Sequence, residues 1–196
     1  MKKLILATGN PGKVREMKQI LAGLYDEVIS MKEAGVAVDV VEDADSFLGN
    51  AAKKALAISQ LVECDVVADD SGLCVDGLGG RPGVYSARYS AEGTDEANNA
   101  KLVQEVSQLS EEKRGAHYEC AIVLARKGEV AFSCECRCDG QIILQARGSE
   151  GFGYDPYFLL PEYGKTFGEI EPKIKNQISH RAKALAKLRQ FAEQER

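Results

Sequence analysis

The chain has 196 residues, long enough for a single domain with a substantial hydrophobic core. Its net charge of −5 argues against a non-specific nucleic-acid or membrane surface, so neither is expected as a partner. An anionic substrate would need positive charge supplied locally, by Lys, Arg, backbone N–H groups or a metal.

The chain opens on Leu4-Ile5-Leu6-Ala7, a short buried strand. This apolar run is too short for a signal peptide and no long apolar stretch follows, which predicts a cytoplasmic address. Thr8-Gly9-Asn10-Pro11-Gly12-Lys13 then leads into a helix whose apolar face is Val14, Met17, Ile20, Leu21 and Leu24. Strand, glycine loop and helix together aim backbone N–H groups at an anion. The loop departs from the P-loop pattern, because Ala7 stands where its first Gly would fall and Val14 where its Ser or Thr would. A tight turn before a helix remains the plain alternative.

Residues 27–31 and 36–41 read as strands, the second leading into the acidic Glu42-Asp43-Ala44-Asp45. A helix is predicted from about Ser46, with Asp45 or Ser46 as N-cap. On it Asn50 and Lys54 lie four apart and share a face. Val66-Val67-Ala68-Asp69-Asp70-Ser71-Gly72-Leu73 is the stretch around which the rest is organised. It reads as a buried strand that runs out at two carboxylates, with Gly72 permitting a sharp turn. One carboxylate is expected to face a cleft and the other to fix the turn. Carboxylates at a strand's carboxyl end are a usual way to hold Mg²⁺ against a phosphate, and an Asp-rich turn is the bland alternative.

Residues 76–89 read as an ordered glycine-rich loop, in which Pro82 opposes the helix a dinucleotide site requires. Residues 94–109 read as a helix, and 117–125 with 129–138 as a hairpin. Cys134, Cys136 and Cys138 would share one face of its second strand. Three small apolar residues on a half-buried strand account for them better than a zinc site, whose ligands usually come as C-x₂₋₄-C pairs. Further on, Gly151-Phe152-Gly153-Tyr154-Asp155-Pro156 sets an aromatic between glycines, either a plain turn or a place where Phe152 stacks on a base. Lys175, His180 and Arg181 gather at the start of an alanine-rich helix. Cations suit the other end of a helix, which hints at an anionic ligand there. Strands and helices alternate early and a hairpin-rich section follows. That order predicts an α/β fold, a mixed sheet with a cleft between two lobes, in one domain over 1–196.

Taken in order, Thr8-Gly9-Asn10-x-x-Lys13, Phe47-x-x-Asn50-Ala51-x-x-Lys54-Ala55, Ala68-Asp69-Asp70-Ser71-Gly72-Leu73, residues 82–89, residues 151–156 and Ile178-Ser179-His180-Arg181 closely resemble the inosine triphosphate pyrophosphatase family. The resemblance covers nearly the whole chain, and six motifs in register are more specific than any one. It implies a homodimer with an elongated mixed β-sheet flanked by helices and a central active-site cleft. It also implies Mg²⁺-dependent hydrolysis of ITP, dITP and XTP to the monophosphate and pyrophosphate. Residue by residue, it makes Thr8, Gly9, Asn10, Pro11, Gly12 and Lys13 a phosphate loop, and Asp70 the catalytic carboxylate and metal ligand. Lys54 falls on a catalytic position and Glu42 on a metal-associated one. Ser71, Phe152, Gly153, Tyr154, Asp155, Lys175, His180 and Arg181 fall on substrate contacts, the last two near the base. The family often reads Glu-Glu-Thr-Gly where this chain has Val41-Glu42-Asp43-Ala44, which leaves Glu42 as the single matching carboxylate. The competing readings are a P-loop-like phosphotransferase and a non-catalytic nucleotide sensor or cysteine-based metal protein.

Overall fold

The computed structural model describes residues 2–195. The apolar run at the start forms β1 (Lys3–Leu6), and Asn10 caps α1 (Pro11–Ile20) by accepting from the Gly12 and Lys13 amides. After β2 (Glu27–Ser30), Ser46 caps α2 (Phe47–Ser59) through the Gly49 amide. Next come β3 (Asp65–Val75), α3 (Asp95–Val106) capped by Thr94, and the hairpin of β4 (Gly115–Arg126) and β5 (Glu129–Ile142). The chain closes with β6 (Phe158–Leu160), β7 (Lys165–Thr166), α4 (Pro172–Ile178) and α5 (His180–Gln194).

The seven strands make one mixed sheet in the order β2-β1-β3-β4-β5-β6-β7. β1 lies parallel to β2 and β3, whereas β6 is antiparallel to β5 and β7. The α/β mixed sheet read from the sequence is therefore what forms. No helix among the described residues is long and apolar enough to cross a membrane.

The chain divides into two compact units, and each has its own apolar core. The first comprises residues 1–70, 120–136 and 181–196. Its core sets Leu4, Leu6 and Val67 of the sheet against Met17 of α1, Leu21 at the C-cap of that helix, and Leu185 and Leu188 of α5. The second comprises residues 71–119 and 137–180 and packs Leu73, Leu102, Val106, Tyr118, Phe158 and Phe167 together. Cys134 and Cys136 pack against the first core and Cys138 belongs to the second, so the three thiols on β5 serve as small apolar residues.

Two expected elements differ. Residues 36–41 form no strand, although alternate residues from 36 to 44 are half-buried and those between are exposed. The chain there has no ladder partner, so period-two burial arises from one side of a segment facing protein. β3 also does not stop at the acidic pair. It runs unbroken through Asp69, Asp70, Ser71 and Gly72, so the sharp turn expected at Gly72 is absent.

Candidate functional site

Because β3 continues through the pair, Asp69 and Asp70 point to opposite faces of the sheet and meet different surroundings. Asp69 is fully buried. Its Oδ2 accepts from Arg181 Nε at 3.0 Å and from the Cys120 thiol at 3.0 Å, and its Oδ1 pairs with Lys13 Nζ. Arg181 is itself buried and donates through Nη1 to Glu16 Oε2 at 2.5 Å. Burial alone would raise the Asp69 pKa. The adjacent Arg181 and Lys13 charges overcome that and hold the carboxyl far below the ordinary range. The Cys120 thiol moves the other way, pushed well up by burial and by the Asp69 charge.

Asp70 has the reverse balance. Its Oδ2 accepts from Asn50 Nδ2 at 3.1 Å, and burial raises its pKa despite the lowering effect of the Lys54 and Lys13 charges. Glu42 adds to the rise. Asn50 also accepts from the Ala44 amide at 2.9 Å, and Lys54 Nζ bridges Glu42 Oε2 at 3.0 Å and the Asp69 carbonyl at 2.8 Å. Those bonds fix the irregular acidic segment against α2 and β3. The shared helical face of Asn50 and Lys54 thus does border Asp70.

The Asn10 cap takes the Gly12 and Lys13 amides, and Thr8 Oγ1 accepts from the Asn10 amide, so the loop is held by its own side chains. Thr8, Gly9, Pro11, Glu42 and Lys54 line a cavity of about 1050 Å³ within the first unit. Arg15, Lys18 and Lys32 line it too, which the sequence reading missed. Met31, Val36, Val38 and Val40 give it an apolar wall.

In the second unit, Lys175 lies in the last turn of α4, not at the start of α5 as the sequence suggested, because a break at Ser179 separates the two helices. Its Nζ pairs with Asp155 Oδ2 at 2.6 Å and sits 4.7 Å from the centre of the Phe152 ring. The same Asp155 oxygen accepts from the Phe152 amide at 2.9 Å. A Cβ at Gly151 would fall 2.0 Å from that oxygen, so the position requires glycine. Tyr154 donates to the Ser86 carbonyl at 2.6 Å. His180 is buried and stacked on Tyr118, with ring centres 4.7 Å apart and planes within 8°. Ser71 is half-buried on β3.

The cation surplus that the sequence placed at the start of α5 is thus answered inside the chain, for Arg181 by Asp69 and Glu16. Sequence reasoning did not find this network. Glu16, a carboxylate on the buried side of α1 one turn past Lys13, was its only signal.

Known proteins fit this geometry closely. A sequence model of the Ham1 family matches residues 4–191. A dITP/XTP pyrophosphatase of Geobacillus kaustophilus is 50% identical over 189 residues, covering 96% of this chain and 93% of that one. The structure of a HAM1 protein from Coxiella burnetii superposes with a TM-score of 0.88 at 32% identity, over 99% of this chain and all (100%) of the other. The Staphylococcus aureus Ham1 protein gives 0.86 at 36% identity over 100% of both chains.

Proposed function

The chain belongs to the Ham1 family, and from that premise we propose that it hydrolyses non-canonical purine nucleoside triphosphates. ITP, dITP and XTP would be cut to the nucleoside monophosphate and pyrophosphate, which keeps them out of DNA and RNA. The observation that carries the reading is the environment of Asp70, a buried carboxylate fixed by Asn50 with the Lys13 and Lys54 charges acting on it.

The donor chemistry suits a hard divalent cation. Asp70 and Glu42 offer only oxygen, and the charge of Glu42 raises the Asp70 pKa, a repulsion that a cation between them would relieve. Mg²⁺ typically takes one or two carboxylates and completes its shell with phosphate and water, and we assign Asp70 and Glu42 to that role. When bound, the ion offsets triphosphate charge and polarises phosphorus.

The residues of the chain supply the rest. Asp70 takes a proton from the attacking water, a role suited to a carboxylate whose proton affinity is raised. The water oxygen bonds to phosphorus and pyrophosphate leaves. Lys13 and Lys54 present positive charge already fixed by Asp69 and Glu42, so little reorganisation is needed as charge develops. Thr8, Gly9, Asn10, Pro11 and Gly12 are assigned to the phosphates, and Ser71, Phe152, Gly153, Tyr154, Asp155, Lys175, His180 and Arg181 to the remaining substrate contacts. Phe152 offers an aromatic face for a purine. We further assign a cytoplasmic location, one functional domain over 1–196 and a homodimeric assembly, on the strength of the family resemblance.

The test is pyrophosphate release from ITP, XTP and ATP with Mg²⁺, for the wild type and for Asp70→Asn. The substitution keeps shape and removes charge, so kcat should fall by roughly 10²–10⁴, the usual worth of a positioned acid–base group. A folded Asp70→Asn protein with near wild-type kcat would refute the assignment.

A further inference from the structure

Apart from the oxygen-donor pair, the second unit holds a cluster of different chemistry. Cys74 lies on β3, and His117 and Glu119 lie two apart on β4, so the latter two share a face of their strand. One ligand atom from each of the three can be chosen such that all lie within 4.8 Å of one another. His117 Nε2 is 3.7 Å from Glu119 Oε2, a few tenths of an ångström beyond the roughly 3.3–3.5 Å that separates a nitrogen and an oxygen ligand on one tetrahedral Zn²⁺. The other ring nitrogen, Nδ1, stands 4.0 Å from Asp76 Oδ1. At 4.0 Å the two do not hydrogen-bond, but Asp76 lies on the side of the ring where a metal-bound histidine usually has the carboxylate that sets its tautomer and orientation.

The backbone makes room for this arrangement. A Cβ at position 115 would lie 2.8 Å from Asp76 Oδ2, so Gly115 lets that carboxylate come close to the start of β4.

We propose that Cys74, His117 and Glu119 bind a borderline divalent cation, Zn²⁺ in preference to Mg²⁺, with Asp76 as a positioning residue behind His117. One sulfur, one nitrogen and one oxygen donor suit Zn²⁺ and exclude a hard ion, whereas Asp70 and Glu42 suit the converse. Three protein ligands leave the fourth position of a tetrahedral ion to water. On binding, the S–H bond breaks, sulfur bonds to the metal and the proton goes to solvent. The ion would tie β3, β4 and the turn at Asp76 together.

The experiment uses chelator-treated full-length protein with millimolar Mg²⁺ present to saturate the oxygen-donor pair. Co²⁺ is titrated as a spectroscopic probe and then displaced by Zn²⁺, with Zn²⁺ affinity read by competition against a chromophoric chelator. The expected result is one tight equivalent, a thiolate-to-Co²⁺ charge-transfer band that Zn²⁺ abolishes, and about one proton released per ion near neutral pH. Cys74→Ser should remove the band, and His117→Ala should weaken Zn²⁺ by more than about tenfold. Asp76→Asn should weaken it by about 10–100-fold with the band retained. Cys134→Ser and Cys136→Ser should change nothing. If Cys74→Ser does not fold, the wild-type band and the weakening of Zn²⁺ in His117→Ala decide the matter. Absence of a tight equivalent, a band that survives Cys74→Ser, or a band lost in Cys134→Ser would overturn the proposal.

Discussion

Replacing Arg181 by Met tests whether the buried ion network is what holds Asp69, and with it Lys13. Arg181 contacts Asp69 at 3.0 Å and Glu16 at 2.5 Å with its side chain 2% exposed. Removing one partner of a buried pair leaves a desolvated charge and typically costs about 3–5 kcal/mol. Asp69 keeps Lys13 and the Cys120 thiol, which places its own loss at the low end, but buried Glu16 loses its guanidinium as well. For a chain of this size about 1 kcal/mol moves the melting midpoint by about 2–4 °C, so Arg181→Met should lower it by about 6–20 °C. The chain has no Trp, so far-ultraviolet circular dichroism is the suitable probe. Adding Asp69→Asn and Glu16→Gln to Arg181→Met removes the two buried carboxylate charges that faced the guanidinium and should recover part of the loss. A midpoint change under about 2 °C for Arg181→Met would refute the reasoning. So would a triple variant less stable than the single one.

Other consequences are testable in the same preparations. The acid limb of kcat/KM for ITP should lie above the value of an ordinary Asp, because burial raises the Asp70 pKa and the working base is the deprotonated form. Activity is then full above that raised value and lost as pH falls through it. Glu42→Gln should move the limb down and Lys54→Met should move it up, since Glu42 raises and Lys54 lowers the Asp70 value. A limb unmoved by either change would contradict the electrostatic picture. Lys13→Ala should raise KM more than it lowers kcat, as expected for a group that meets phosphate throughout the reaction. It should also lower the melting midpoint, because it strips a partner from buried Asp69, and a drop in kcat with KM unchanged would count against the phosphate role.

The sequence disclosed the alternation of elements, the cap at Ser46 and the hairpin, because each rests on local chemistry, whereas the caps at Asn10 and Thr94 were seen only in the structure. It misled where partners far along the chain decide the outcome. The period-two pattern of residues 36–41 is that of a strand, yet no neighbour completes a ladder there. Asp69 and Asp70 look like the end of a strand because charge is rarely buried, and the strand continues with Asp69 neutralised by Lys13 and by Arg181, the latter 112 residues away. No window of local sequence contains that pair. A still longer separation hid Glu16, which is 165 residues from the guanidinium it binds.

Two adjacent carboxylates of identical chemistry are thereby given opposite properties. Asp69 surrenders its proton readily because two cations and a thiol hydrogen bond outweigh its burial; Asp70 binds a proton more tightly than an ordinary Asp because burial outweighs the neighbouring lysines. Environments that drive paired acids apart usually mark different roles, and here the assignment follows from direction. A permanently charged Asp69 can fix Lys13 but cannot take a proton from water. Asp70 can take one, and the Asn50 amide keeps its Oδ2 oriented without neutralising it. Stability follows the same division. Asp69 contributes stability above the unfolded carboxyl value that is lost as pH falls through its depressed folded value. Asp70 binds its proton more tightly folded than unfolded, so its contribution falls as pH rises through its raised value. At neutral pH Asp69→Asn should therefore melt below the wild type with its acid dependence flattened, while Asp70→Asn should melt no lower and lose turnover. Were both variants to lose stability and activity in parallel, the pair would be one structural unit and the separation of roles would fail.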